Sequence, residues 1–417
     1  MTKLIFTSLL LLILFSSYAD TWTQKASITG ERDAVMSFSI GTKGYICGGY
    51  NSGTFTSYQD FWEWDQSTNV WTQKADFGGG FRSAGVGFSI GTKGYVGTGF
   101  APALKKDFWE WDQVTNIWTQ KADFGGLARW LAVGFSIGTK GYIATGDTNG
   151  FTTKVTQDMW EWDGDTASAT YNTWIQKSSF PGPARYVATG FSIGTKGYIG
   201  TGSDGNLTLY NDFWEWDGDS SSITFDTWTP KTDFGGTPRQ GATGFTIGTK
   251  GYIGTGADGG IKKDFWEWDQ VTGLWTQKAD FGGPHRRMAT GFSIGNKGYI
   301  GMGFFFTVST NDFWEYCDTC AGVGINEINN AANITVCTNP VNEKLQINID
   351  NEYKYLKAEL YNIVGEKVFE KDYQNVNKII EIDVSKYKKG IYFLRLGVPS
   401  GKLNNGNDFH SFKLLVE

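Results

Sequence analysis

Seventeen of the 18 tryptophans in this chain occupy three positions of a recurring frame, and one does not. The exception is Trp130. It follows Arg129, where other copies of the frame place Asp33, Ser83, Tyr186, Gln240 and Arg287. The residue before the arginine also varies: Glu31, Phe81, Ala128, Ala184, Pro238 and His285. Side chains of these types can stack on a flat ring and hydrogen-bond to its substituents, the chemistry of a pocket for a small polar ligand. Asp33, Phe81, Trp130, Tyr186, Gln240, His285 and Arg287 therefore form the candidate ligand-binding set. For Trp130 and Tyr186, packing at the rim accounts for the residue types equally well. Glu31, Asp33, His285 and Arg287 are the residues of this region suited to acid–base work. No catalytic residues are assigned.

The elements that position these residues follow from the frame. Six segments of roughly 50 residues run from Asp20 to Cys317. Asp-Phe-Trp-Glu-Trp-Asp stands at Asp60–Asp65, Asp107–Asp112, Asp212–Asp217 and Asp264–Asp269, with variants at Asp158–Asp163 and Asp312–Cys317. Phe-Ser-Ile-Gly-Thr-Lys-Gly-Tyr starts at Phe38, Phe88, Phe135 and Phe191, with variants from Phe245 and Phe292. A third phrase carries Trp22, Trp71, Trp118, Trp174, Trp228 and Trp275. Each copy reads as four short strands separated by Gly and Asn turns. In the second copy these are Ser83–Ile90, Tyr95–Gly99, Asp107–Asp112 and Trp118–Lys121. No segment has a long helical period. Four strands per copy predict an all-β, six-bladed propeller. Trp22 belongs to a fourth-strand phrase ahead of the first complete unit, so the N-terminal strand is expected to close the last blade and remove the exposed edge.

Over nearly all of Asp20–Cys317 the chain resembles the kelch repeat. In the second copy the resemblance rests on Arg82, Gly94-Tyr95, Gly97-Thr98-Gly99, Trp109, Trp111 and Trp118. The first copy has the double glycine Gly48-Gly49, where most later copies read Gly-Thr-Gly. Side chains that recur in every blade read as packing: the six fourth-strand tryptophans and Arg32, Arg82, Arg129, Arg185, Arg239 and Arg286. For the arginines the expectation is a buried ion pair with a blade carboxylate; the rival is a ring of cations at the channel mouth. The resemblance implies a fold rather than an activity. Kelch propellers include copper radical oxidases, but the chain has only His285 and His410, and one histidine in the propeller does not suit that site.

Residues 1–19 read as a secretory signal, with Lys3, an apolar Leu4–Phe15 too short to span a bilayer, and small Ser17 and Ala19 before Asp20. After Tyr316 tryptophan stops. Residues 321–337 read as a linker. Residues 338–417 alternate as short strands, Leu345, Ile347 and Ile349 among them, and suggest a small Ig-like β-sandwich. This tail resembles the type A C-terminal sorting domain of the type IX secretion system. The matching residues are Asn339-Pro340-Val341, Leu360-Tyr361-Asn362, Gly365-Glu366-Lys367-Val368, Ile382-Asp383-Val384, Gly390-Ile391-Tyr392-Phe393 and the closing strand Phe412–Val416. The resemblance implies export across an outer membrane by a bacterium of the Bacteroidetes type, with the type IX machinery as partner of residues 338–417. It also implies a product that is secreted or held at the outer cell surface.

The net charge of −6 argues against nucleic acid or an anionic membrane as the main partner. Beyond the signal no segment is long enough to span a membrane. An exported chain can hold disulfides, and Cys317, Cys320 and Cys337 are the candidates, with Cys47 expected as a buried free thiol. Cys317 and Cys320 make half of a zinc site with no second half. Asp163-Gly164-Asp165 and Asp217-Gly218-Asp219 read as turn chemistry rather than as calcium ligands. No metal and no cofactor is expected. The leading expectation is a secreted or cell-surface protein that presents its variable face to a glycan or protein ligand. The alternatives are a sugar-handling enzyme, like the sialic acid mutarotases that some six-bladed kelch propellers resemble, and a structural surface protein.

Overall fold

The computed structural model describes residues 20–150, 154–318, 334–336, 344–349, 353–362, 365–376, 379–397 and 409–416. The chain divides into two compact units, one of which is Asp20–Cys320. This unit is a six-bladed propeller of four-stranded antiparallel sheets. Blade one runs Met36–Ile40, Lys43–Cys47, Phe61–Asp65 and Val70–Gln73. The innermost strands of the other blades are Val86–Ile90, Val133–Ile137, Thr189–Ile193, Thr243–Ile247 and Thr290–Ile294. The outer strand of the sixth blade is Thr21–Lys25, which pairs with Phe313–Cys317, so the ring closes through the N-terminus.

The second blade shows where the strands differ from the sequence expectation. Its first strand begins at Val86, not Ser83. Ala84 has φ of 54°, which breaks the extended run before the strand can start. Its second strand covers Lys93–Gly97 and ends where Thr98 turns to φ of 58°.

Blade-to-blade packing has a simple rule. The phenylalanine of each innermost strand lies over a glycine in the second strand of the next blade. A Cβ built on Gly94 would stand 2.1 Å from the Phe38 ring, and one on Gly44 would stand 2.2 Å from Phe292. Gly141, Gly197, Gly251 and Gly298 meet Phe88, Phe135, Phe191 and Phe245 in the same way. The invariant Lys-Gly-Tyr turn phrase is thus a packing requirement. The second tryptophan of each Phe-Trp-Glu-Trp is buried: Trp64, Trp111, Trp162, Trp216 and Trp268. Tyr316 takes that place in the sixth blade and is equally buried.

The described part of the tail forms two sheets. Ile334–Val336, Lys344–Ile349 and Ile379–Asp383 make one; Lys367–Val376, Tyr353–Asn362, Gly390–Gly397 and Phe409–Val416 make the other. Leu345, Ile347 and Ile382 share a core with Leu356, Leu360 and Leu394. Residues 1–19, expected as a signal, lie outside the described residues; of the expected linker 321–337, only Ile334–Val336 is described, and it is a strand of the first tail sheet.

Candidate functional site

Each blade fixes its upper end with one arginine. Arg129 is fully buried and its two terminal nitrogens donate to both oxygens of Asp158, each at 2.7 Å. Nη1 also donates to Thr145 O at 2.8 Å. Arg32, Arg185, Arg239 and Arg286 pair bidentately with Asp60, Asp212, Asp264 and Asp312. Arg82 makes one such contact, to Asp107 at 2.8 Å. The same aspartate accepts the indole N–H two residues on, as Trp160 does to Asp158 at 2.8 Å. The recurring Asp-Phe-Trp is therefore the carboxylate partner of the arginine, and each guanidinium charge is already matched inside its blade.

The main chain that follows the arginine makes the mouth. The next residue bridges, strand-like, to the residue after the glycine pair: Asp33 to Tyr50, Ser83 to Phe100, Trp130 to Asp147, Tyr186 to Ser203, Gln240 to Ala257 and Arg287 to Phe304. One residue further, Ala34, Ala84, Leu131, Val187, Gly241 and Met288 all have positive φ, between 51° and 64°. Their N–H and C=O groups form a closed ring: Ala84 donates to Ala34 and Leu131 to Ala84, each at 2.8 Å, Val187 to Leu131 at 3.0 Å, Gly241 to Val187 at 3.1 Å, Met288 to Gly241 at 2.9 Å, and Ala34 to Met288 at 3.1 Å. Left-handed backbone at a residue with a Cβ is costly. Here the strain is held by a circuit that no single blade can open alone.

Above this ring is a cavity of about 430 Å³. Asp33, Trp130, Tyr186, Gln240 and Arg287 all line it, with Tyr50, Ser52, Phe100 and Phe304. Blades two to four supply an aromatic wall of Phe100, Trp130 and Tyr186; blades five, six and one supply Gln240, Arg287 and Asp33. The Phe100 and Trp130 rings lie 5.5 Å apart, and the Arg287 guanidinium sits over Phe304 at 5.2 Å. Asp33 is nearly buried and accepts hydrogen bonds from Ser309 Oγ at 2.6 Å and Ser52 Oγ at 2.7 Å. Burial pushes its carboxyl above the usual range, against the pull of those two hydroxyls and of Arg287. Burial likewise raises the Tyr186 phenol, with Asp147 adding to the effect.

Two of the seven candidates stand elsewhere. Phe81 and His285 are exposed and do not line the cavity. Glu31 is likewise exposed and outside the lining. The residue ahead of the arginine turns away from the axis, and the residue behind it turns toward the axis. Tyr50, Ser52, Phe100 and Phe304 also line the cavity, outside the candidate set. For Tyr50, Phe100 and Phe304 the signal is variation at one register position, directly after the glycine; Ser52 stands two residues further, in the loop.

Cys317 is disulfide-bonded and Cys47 is a free, buried thiol; Cys320 and Cys337 lie outside the described residues. Among the described residues no cluster of three or more His, Cys, Asp or Glu is placed to hold a metal. The Asp163 carboxylate is occupied by Lys140 at 2.7 Å and by the Ser168 and Thr170 hydroxyls, each at 2.6 Å. Among the described residues no helix is long and apolar enough to cross a membrane.

Residues 336–406 match the family described as the secretion system C-terminal sorting domain. That match marks the chain for export by type IX secretion, to the cell surface or beyond it. Among solved structures, the chain is similar to YjhT at 16% identity and a TM-score of 0.57, over 69% of this chain and 95% of that one. At that identity the likeness speaks for the propeller fold alone. No curated protein matches the chain in sequence.

Proposed function

We propose that the exported propeller is a binding protein whose axial cavity takes a small glycan or the terminal sugar of a larger one. The observation that carries this reading is the division of the cavity wall. Phe100, Trp130 and Tyr186 offer flat apolar surface to a sugar ring, while Gln240 and Arg287 line the same space half-buried, with no side-chain hydrogen bond to another described residue. Half-buried donors with unspent hydrogen-bonding capacity suit a ligand that supplies acceptors. The cavity volume of about 430 Å³ is in the range of small-molecule sites. The test is calorimetric titration of the full chain with saccharides chosen by a glycan-array screen. Saturable binding that Trp130→Ala weakens at least about tenfold supports the reading; binding unchanged in that variant sinks it.

One observation favours a second reading. Asp33 holds a carboxyl raised by burial, within the field of Arg287, and that pair is suited to moving a proton on a bound sugar. Anomer interconversion followed by NMR decides it. A rate equal to that in buffer for every sugar that binds removes catalysis and leaves binding.

A further inference from the structure

A second cavity, of about 450 Å³, opens beside the first. Phe100 belongs to both. Among the described residues, the remaining wall of the second cavity comes from Pro102, Ala103, Leu104, Leu127 and Ala128, with Thr148 and Asn149 at its edge. The chemistry therefore changes across one phenyl ring, from a mixed polar and aromatic site to one built mostly of carbon.

The walls are fixed by the fold. Phe100 bridges to Leu104, and the N–H of Lys105 donates to Gly99 O at 2.8 Å, which ties the Pro102 loop back onto its blade. On the other side Asp147 accepts the N–H groups of Asn149 and Lys154, each at 2.9 Å. Gly150 rests against the Pro102 loop, where a Cβ would meet Leu104 at 3.8 Å and Phe100 at 3.9 Å. Leu127 stands 62% exposed over the opening. At its place the other copies carry Gly30, Gly80, Pro183, Thr237 and Pro284, so only this blade junction puts a large aliphatic side chain beside the mouth.

We propose that this cavity is an apolar subsite for an aryl or acyl substituent carried by the ligand of the axial cavity. The proposal rests on the glycan-binding reading and names the ligand class further, as a saccharide with an apolar arm. Phe100 is a wall common to both cavities, so an arm that passes its ring from the axial cavity would reach the second. An engineered apolar cavity of about 150 Å³ takes up benzene, so the space is ample for a phenyl group or a short acyl chain. Carbon walls offer such an arm the transfer free energy of leaving water and offer a sugar hydroxyl almost no partner.

The test uses the full chain and two kinds of probe. Fluorobenzene, followed by fluorine NMR, probes apolar binding without a sugar, and the Leu127 and Trp130 variants assign it to one cavity or the other. Matched methyl and phenyl glycosides report on the connection of the apolar subsite to the axial cavity. Wild type and Trp130→Ala are expected to bind fluorobenzene saturably, and Leu127→Asp is expected to lose that binding. Leu127 is exposed enough for that variant to fold. Phenyl glycosides are expected to bind about tenfold more tightly than methyl glycosides, an advantage that Leu127→Asp alone removes. The inference is overturned if wild type shows no saturable fluorobenzene binding. It is equally overturned if Trp130→Ala loses that binding while Leu127→Asp keeps it, or if phenyl and methyl glycosides bind alike. Fluorobenzene binding at Leu127 with no glycoside bound would support the subsite and sink the glycan reading.

Discussion

Trp130 donates its indole N–H to Asp147 Oδ2 at 3.2 Å, and the two residues also bridge through their main chains. The bond sets the plane of the one tryptophan that stands outside the blade frame. Asp147 is itself buried and organises the loop behind it through Asn149 and Lys154. It is a positioning residue for the cavity wall.

Asp147→Ala is therefore expected to lower glycan affinity several-fold, less than Trp130→Ala does, with the blades still folded. Titration calorimetry beside circular dichroism checks this. Equal affinity in wild type and Asp147→Ala would mean that the ring needs no such anchor.

Arg129→Ala leaves the half-buried Asp158 without its cation. Loss of one partner of a fully buried pair costs about 3–5 kcal/mol; with Asp158 part-exposed the expected cost is at or below the lower end of that range, and Lys is not expected to rescue a bidentate site. Arg82→Ala should cost less, because Arg82 Nε and Asp107 Oδ1 have no partner even in the native blade. Urea unfolding of the three variants measures the order.

The same pair has a pH signature. Burial works to raise the Asp158 carboxyl, but the hydrogen bonds and charge of Arg129, helped by Trp160 and Thr156, outweigh it and hold the group below its usual range. The stability it contributes is present above the ordinary carboxyl range and is lost as pH falls through its lowered folded value. The melting-temperature gap between wild type and Arg129→Ala should narrow as pH falls below the ordinary carboxyl range.

Asp33 has the opposite sign. Its folded carboxyl is raised by burial, so its contribution is fully present below the ordinary carboxyl range and is lost as pH rises through the folded value. Asp33→Asn does not titrate and can still accept from Ser52 and Ser309. Its melting temperature is expected to exceed that of wild type at neutral pH, with the gap closing toward pH of about 3. A gap independent of pH would show that Asp33 is not held in this way.

Gly94→Ala places a methyl group inside the Phe38 ring. Overpacking of this kind costs about 1–3 kcal/mol. A thermal melt of Gly94→Ala set against Gly91→Ala separates packing from backbone, because Gly91 has φ of 59° and open space around it. Loss in Gly91→Ala alone would contradict the ring-over-glycine account.

The propeller was legible because its repeating phrases each encode one physical contact. Lys-Gly-Tyr carries the glycine under the neighbouring ring, and Asp-Phe-Trp carries the partner of the arginine. The axial site was partly legible. Trp130 stood out by failing to repeat, and Asp33, Tyr186, Gln240 and Arg287 followed from its register. Phe81 and His285 were misplaced because one residue of register reverses the direction of a side chain. Phe100 was hidden because its approach to Ser83 depends on the positive-φ turn that follows, which residue types such as Ala, Leu, Val and Met do not announce.

The most direct measurement is titration of the full chain and of Trp130→Ala with the saccharide that a glycan array selects. The account predicts saturable binding by the wild type and a loss of at least about tenfold in the variant, with unchanged melting behaviour. Equal affinity in both proteins, or no saccharide bound by the wild type, would contradict it.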